Sequence, residues 1–367
     1  MKLNENERKV VSILKENPYV SQQYMADQLK LSRPAIANLI SGLQEKGIIL
    51  GKPYVLRKEA YVTCIGGANL DYTFRLEEPL VLSTSNPVSS TISYGGVIRN
   101  VADNLARLNH TVSLMTVLGD DSAGEDLLKY SRKTMEVFAC DKLKNEHTGG
   151  YYAVINQEGN MDVGFANMSI NKHMDRNWIL EHKRHLSLST WLIADTNMTK
   201  DALEALIEYS QIEDKKLAII GVSGPKMKHL PNDLNGVELL ICNLDESQSY
   251  FKTTETNLEV LIQKWVLKGL HKVVITNGKR GSIYYDGKHY AYQNAFVIPD
   301  ELVIDVTGAG DAFSSAVLHG LIHEESLERS VKYGAASASL TIQSPYSVNP
   351  KLSINQIKKE LKKYENL

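Results

Sequence analysis

The nine residues Asp305-Val-Thr-Gly-Ala-Gly-Asp-Ala-Phe313 constrain this chain more than any other stretch. They follow the short apolar run 302–304 and lead into residues 312–322, which read as a helix. A glycine-rich turn at a helix start leaves backbone N–H groups without intrahelical partners. Those donors and the positive end of the helix dipole favour an anion. The amides of Gly308, Ala309 and Gly310 can therefore hold a phosphoryl group as negative charge builds on it. Asp311, in the first turn, points a carboxylate at the same place. A carboxylate beside an anion hole suits a base that takes the proton of a hydroxyl attacking phosphorus.

Two plainer readings compete. Asp is a frequent cap at helix starts, and glycine is frequent in tight turns. Two other phosphate motifs are excluded. No Gly-x4-Gly-Lys-Ser/Thr string occurs, and Phe313 stands where the third glycine of a dinucleotide fingerprint belongs. The full string Asp-Val-Thr-Gly-Ala-Gly-Asp-Ala-Phe is more specific. It resembles the C-terminal signature of the ribokinase-like (PfkB) sugar and nucleoside kinases. The resemblance implies that Asp311 is the catalytic base and that Gly308, Ala309 and Gly310 form the anion hole. It also implies ATP and Mg2+ as co-substrate and cofactor, with Thr307 on the ATP side.

The 367 residues suggest about two domains. The net charge of −2 hides an asymmetry: residues 1–60 carry +4 and the remainder −6. Cys64, Cys140 and Cys242 are scattered, with no CxxC or Cys/His cluster to suggest zinc. That usage fits a reducing cytoplasm. The N-terminus does not read as a signal peptide, and no run of about 18 apolar residues predicts a membrane span.

In the first 60 residues, apolar spacing predicts a helix over 5–16, a second capped by Ser21, and a third capped by Ser32 with Pro34 in its first turn. Ile36, Ile40 and Leu43 share one face of the third. Residues 48–50 and 54–56 read as a hairpin around Gly51-Lys52-Pro53. Residues 1–58 thus resemble a winged helix-turn-helix domain. The resemblance implies DNA binding, with Arg33, Asn38, Ser41 and Gln44 facing the major groove and Lys52 reaching phosphate. The alternative is a winged helix used only for protein contact. One copy with so modest a charge would bind DNA weakly, so a homodimer is expected.

Residues 57–60 read as a polar joint, and 61–65 as a buried strand ending in Gly66-Gly-Ala-Asn-Leu-Asp71. Glycines at the C-terminal end of a first strand mark a ligand crevice in α/β sheets. Asn69 and Asp71 offer an amide and a carboxylate that suit vicinal sugar hydroxyls. Further on come Gly95-Gly96 and, four residues later, Asn100 in Asn100-Val-Ala-Asp-Asn-Leu-Ala-Arg-Leu108. Both stretches resemble family motifs. By that resemblance Asn69, Asp71, Gly95, Gly96 and Asn100 line the sugar site. Short alternating runs over 72–94 and 148–168 suit a β lid, with Asn167 reaching a substrate's base or ribose. From residue 188, expected strands at 190–194, 217–220, 237–241 and 272–276 alternate with helices at about 199–210 and 255–269. That series implies a doubly wound, mostly parallel sheet. Residues 61–367 are therefore expected to form one α/β ribokinase-like domain.

Asn243-Leu-Asp-Glu246 resembles the family's Asn-x-x-Glu motif, which implies Asn243 near phosphate and Glu246 near Mg2+ through water; read alone, Glu246 is a helix-start acid. Thr276, Gly278 and Gly281 resemble its nucleotide-side motif. Some members bind a monovalent cation such as K+ near the Asp305 turn, making Asp305 a candidate ligand. Within the family the likeness is greatest to pseudouridine kinases, on Ser85-Asn-Pro87, Ala194-Asp195-Thr-Asn197 and Ser347-Val-Asn-Pro-Lys-Leu-Ser353. The expected activity is phosphorylation of a ribose 5′-hydroxyl. Another nucleoside or ribose as acceptor, or a transcription regulator that uses the kinase fold to sense a nucleoside, stays open. Gly221-Val-Ser-Gly224 departs from the Asp-Pro of many relatives, and Asn167 and Ser169 also depart.

Overall fold

A computed structural model describes residues 3–17, 20–49 and 61–365. The first three helices are α1 (Glu5–Glu16), α2 (Gln22–Leu29) and α3 (Arg33–Glu45). Each has its cap: the side chains of Asn4, Ser21 and Ser32 accept the amides of Glu7, Tyr24 and Ala35. Val10, Leu14, Met25, Ile36, Ile40, Leu43 and Ile49 form their common core. The expected hairpin beyond Ile49, with Lys52 and the joint at 57–60, lies outside the described residues.

The main body contains, in order, β1 (Tyr61–Ile65), β2 (Asn69–Leu76), β3 (Val88–Gly95), α4 (Val97–Arg107), β4 (Thr111–Gly119), α5 (Ser122–Ser131), β5 (Glu136–Leu143), β6 (Gly150–Ile155) and β7 (Met161–Asn167). Then come α6 (Arg176–Glu181), α7 (Lys183–Leu186), β8 (Trp191–Asp195), α8 (Lys200–Ile212), β9 (Lys216–Ile220), β10 (Leu239–Asn243), α9 (Leu244–Phe251) and α10 (Leu258–Val266). The last elements are β11 (Val273–Thr276), β12 (Ser282–Tyr285), β13 (Tyr290–Gln293), α11 (Ala309–Ile322), α12 (Leu327–Ile342) and α13 (Ile354–Glu365).

Nine strands form one sheet in the order β13-β12-β11-β10-β9-β8-β1-β4-β5. From β11 to β5 every pairing is parallel; β12 and β13 run antiparallel. Buried parallel strands read as continuous apolar runs, as Tyr61-Val-Thr-Cys-Ile65 does. Alternate side chains then serve opposite faces: Leu192 and Ala194 enter one core, Ile193 the other. A second sheet has the order β3-β2-β6-β7 and takes in the stretches expected to form a lid. Its outer strands β3 and β7 are mostly exposed.

The order of strands reverses between β1 and β8, which is the switch point where open α/β sheets place their ligands. Two boundaries differ from the sequence reading. The helix expected at about 255–269 is confined to α10, because the Asn257 side chain caps it by accepting the amides of Glu259 and Val260. A separate helix, α9, precedes it, started by a reciprocal capping box between Asn243 and Glu246.

Trp265 of α10 is fully buried, donates from Nε1 to Ser247 Oγ at 3.1 Å, and stacks on Tyr250. Trp265→Ala should cost about 3–5 kcal/mol of stability, read as a lower midpoint in denaturant.

Candidate active site

Gly95 ends β3 and Gly96 caps α4. Gly95 stands so close to Asp71 that a Cβ there would run into the carboxylate. Asn69 and Asp71, on β2, are joined by Asn69 Nδ2 donating to Asp71 Oδ1 at 2.6 Å. Asn100, one turn into α4, donates from Nδ2 to Asp311 Oδ2 at 2.7 Å. This bond spans 211 residues of sequence and joins the starts of α4 and α11. Asn69, Asp71, Gly95, Asn100 and Asp311 therefore gather at one place. Asn167 ends β7 in an exposed position, paired with Gly150 at the edge of the four-stranded sheet.

Two residues that sequence reasoning assigned no role hold this place together. Arg99 is fully buried and donates to Gly95 O (3.2 Å), Asp103 Oδ2 (3.4 Å) and Asn100 Oδ1. With its Oδ1 facing Arg99, Asn100 must turn Nδ2 toward Asp311. Asp195, at the C-terminal end of β8, is also fully buried. Its carboxylate accepts the amides of Gly67, Ile98 and Asn197 at 2.9–3.3 Å and the Asn197 side chain at 3.0 Å. A lone acid at the end of an apolar parallel strand was the sequence signal for it.

Burial pushes the Asp311 carboxyl up to about 7; the Asn100 hydrogen bond and Arg99 oppose that rise, and Asp195 and Asp71 add to it. Burial likewise raises Asp195 to about 6, against four hydrogen bonds that favour the anion. Asp71 is raised by burial, with Asn69 and Arg99 opposing. Asp71, Asp195 and Asp311 thus share one largely dry site with the Arg99 guanidinium, which is itself paired with buried Asp103.

The helix α11 begins at Ala309, with Gly308 as cap at φ +80°. A side chain on Gly308 would collide with the backbone of Ser347, so the turn requires glycine. Of the three expected anion-hole amides, that of Ala309 already donates to Val306 O at 3.2 Å. The Gly310 amide, in the first turn, has no intrahelical acceptor, and Gly310 is exposed. A cleft of about 710 Å3 opens beside it, lined by Thr276, Gly278, Gly281, Ala309, Gly310, Phe313 and Ala335 among others. That volume suits a nucleotide-sized ligand. Thr307 and Asp305 are exposed, and the Asp305 carboxylate accepts the Thr307 amide at 2.8 Å.

Asn243 and Glu246 do not line this cleft; their first task is the capping box that starts α9. Glu246 Oε2 accepts the Asn243 amide at 2.9 Å, and the side chain is 4% exposed. Burial raises its carboxyl above the usual range. A buried carboxylate paired only with a backbone amide suits a hard cation nearby, because the cation offsets the charge that burial penalises. Gly221 leaves room for that carboxylate.

A family model for pfkB carbohydrate kinases matches residues 59–354. The chain belongs to the pfkB family of carbohydrate kinases. A winged helix-turn-helix DNA-binding model matches residues 3–49. The chain is 26% identical, over 96% of its length and 97% of the relative's, to YeiI, an uncharacterized sugar kinase of Escherichia coli (strain K12). It is also 26% identical to the pseudouridine kinase of that organism, over 82% of this chain and 96% of the relative. A carbohydrate kinase from Agrobacterium tumefaciens superposes with TM-score 0.73 at 26% identity, covering 83% of this chain and 97% of that one. Ribokinase from Arabidopsis thaliana, complexed with ribose and ATP, superposes with TM-score 0.69 at 18% identity, covering 83% and 98%, and shows the shared fold. This pfkB kinase is thus a ribokinase-like α/β domain preceded by winged helix-turn-helix helices. Among the described residues, no helix is long and apolar enough to cross a membrane.

The raised carboxyls have a sign that can be measured. Asp311 unfolds to a carboxyl near 3.9 and is held at about 7 in the fold. Its contribution to stability is therefore fully present below about pH 4 and is lost as pH rises through 7. Asp311→Asn should melt above wild type at pH 8, and the gap should close as pH falls toward 4.

Proposed function

We propose that this chain transfers the γ-phosphoryl group of ATP to the ribose 5′-hydroxyl of a nucleoside, with pseudouridine as the acceptor. The observation that carries the reading is Asp311, raised to about 7, oriented by Asn100 and next in sequence to Gly310, which lines the nucleotide-sized cleft. A base poised near neutral pH is effective in both accepting and releasing a proton. Asp311 takes the 5′-hydroxyl proton as the oxygen–γ-phosphorus bond forms and the bond to the ADP bridging oxygen breaks. The Gly310 amide and the α11 dipole bear on the transferring group. Ala309 contributes to that hole once its amide leaves Val306. Asn69 and Asp71 hold the vicinal ribose hydroxyls, and Gly95 and Gly96 let the backbone come close. Glu246 would hold Mg2+ through water and Asn243 would stand near the phosphates, whose charge the ion would neutralise. Closure of the β2-β3-β6-β7 lid excludes water, so that ATP is not spent on hydrolysis.

The choice of pseudouridine rests on the three strings at 85–87, 194–197 and 347–353 and on the pseudouridine kinase relative. Two of those residues, Asp195 and Asn197, are the buried pair beneath the sugar site.

For the N-terminal helices we propose DNA binding through α3, in a dimer. Arg33, Asn38 and Ser41 are exposed along that helix, and Gln44 is half-buried.

ADP release should appear with ATP, Mg2+ and pseudouridine, and not with uridine, inosine, adenosine or ribose. Asp311→Asn should keep nucleoside binding and lose turnover about 10²–10⁴-fold; near-normal turnover would overturn the base assignment. Turnover on a different acceptor would move the substrate within the family. Binding without turnover across the panel would make the domain a sensor. Separately, Arg33→Ala should weaken binding to duplex DNA and lower the salt slope by about one unit, with kinase turnover unchanged. Anisotropy titrations in a salt series read this, and unaltered binding would overturn the assignment of α3.

A further inference from the structure

Three histidines that phosphoryl transfer does not use meet at the far end of the site helices. His110 stands between α4 and β4; His319 and His323 lie one turn apart near the end of α11. One ring nitrogen of each lies within 4.8 Å of the other two. His110 Nε2 and His319 Nδ1 are 2.8 Å apart. His323 Nδ1 is 2.9 Å from the carbonyl oxygen of His319. A carbonyl only accepts, so His323 Nδ1 carries the proton and its Nε2 keeps a lone pair. Metal-bound histidines are commonly oriented in this way, by donating the other ring N–H to a backbone carbonyl.

We infer that His110, His319 and His323 form a binding site for a borderline divalent transition metal such as Zn2+, with three imidazole ligands and a fourth position open to water. The donor set decides the class. Imidazole nitrogens suit zinc, nickel, copper and cobalt, and hard cations such as Mg2+ prefer oxygen. At metal–nitrogen bonds of about 2.0–2.1 Å in a tetrahedral shell, ligand nitrogens stand about 3.3 Å apart. The His110–His319 contact then opens by about half an ångström and the longer separation contracts. A metal takes the neutral imidazole, and binding displaces the proton that His110 and His319 share. Lys358 acts on His319 against a bound cation, so the three nitrogens must outweigh it.

His319 lies eight residues beyond Asp311 on the same helix, about 12 Å along its axis. The metal is thus separate from the phosphoryl site. It ties the chain just after α4 to the end of α11, the two helices whose starts carry Asn100 and Asp311.

The test is a titration of the metal-free full chain with Co2+ and Zn2+. One equivalent of Co2+ should develop the intense visible band of a tetrahedral nitrogen site, and Zn2+ should raise the melting temperature. His323 is exposed, so His323→Ala should fold and keep kinase turnover. It should lose the Co2+ band and at least about tenfold in affinity; His110→Asn should repeat that loss. No band and no melting shift at micromolar metal, or equal affinity in His323→Ala, would overturn the site.

Discussion

The fold of the catalytic body turns on one buried carboxylate. Asp195 ends β8 beside β1, where the strand order reverses, and its two oxygens gather the amides of Gly67, Ile98 and Asn197. Each amide belongs to a different segment: the loop after β1, the start of α4, and the turn leaving β8. An ion in a dry interior is costly unless its lone pairs are filled, so the three segments are held to the positions that fill them. Asn69, Gly95 and Asn100 then follow from where those segments go.

Around that anchor the site manages an excess of negative charge. Asp71, Asp195 and Asp311 are all raised by burial; Arg99, paired with Asp103, acts on Asp71 and Asp311, and Lys226 on Asp195. Arg99 also fixes the amide of Asn100 by taking its oxygen, which leaves the nitrogen for Asp311. The same burial that destabilises the Asp311 anion makes it a better proton acceptor near neutral pH. Stability and reactivity here draw on one desolvation, a common arrangement at active sites.

The two ends of α4 and α11 do different work. Their starts carry the Asn100 amide and the Asp311 carboxylate; their far ends bring three imidazoles together. Between these points the helices pack through Val101, Leu105, Val317 and Leu321, which share one core. A metal at the far end therefore acts on the packing of the same two helices that hold the site.

The sequence by itself determined the family and most local structure. Capping residues, apolar periodicity and glycine turns are short-range properties, so α1 to α3, the buried parallel strands and the start of α11 were legible from their own residues. The signature at 305–313 located Asp311 for the same reason. The tertiary structure decided what those residues meet. The bond between Asn100 and Asp311 crosses 211 residues; His319 and His323 are spaced i, i+4, and only the fold brings His110 to them. The Ala309 amide turned to Val306, and Asn243 and Glu246 closed a capping box, because backbone groups take the nearest partner available. Arg99 and Asp195 gained their roles only when strand order and helix packing buried them together. Charge and burial are properties of that assembled interior, and no local pattern encodes them.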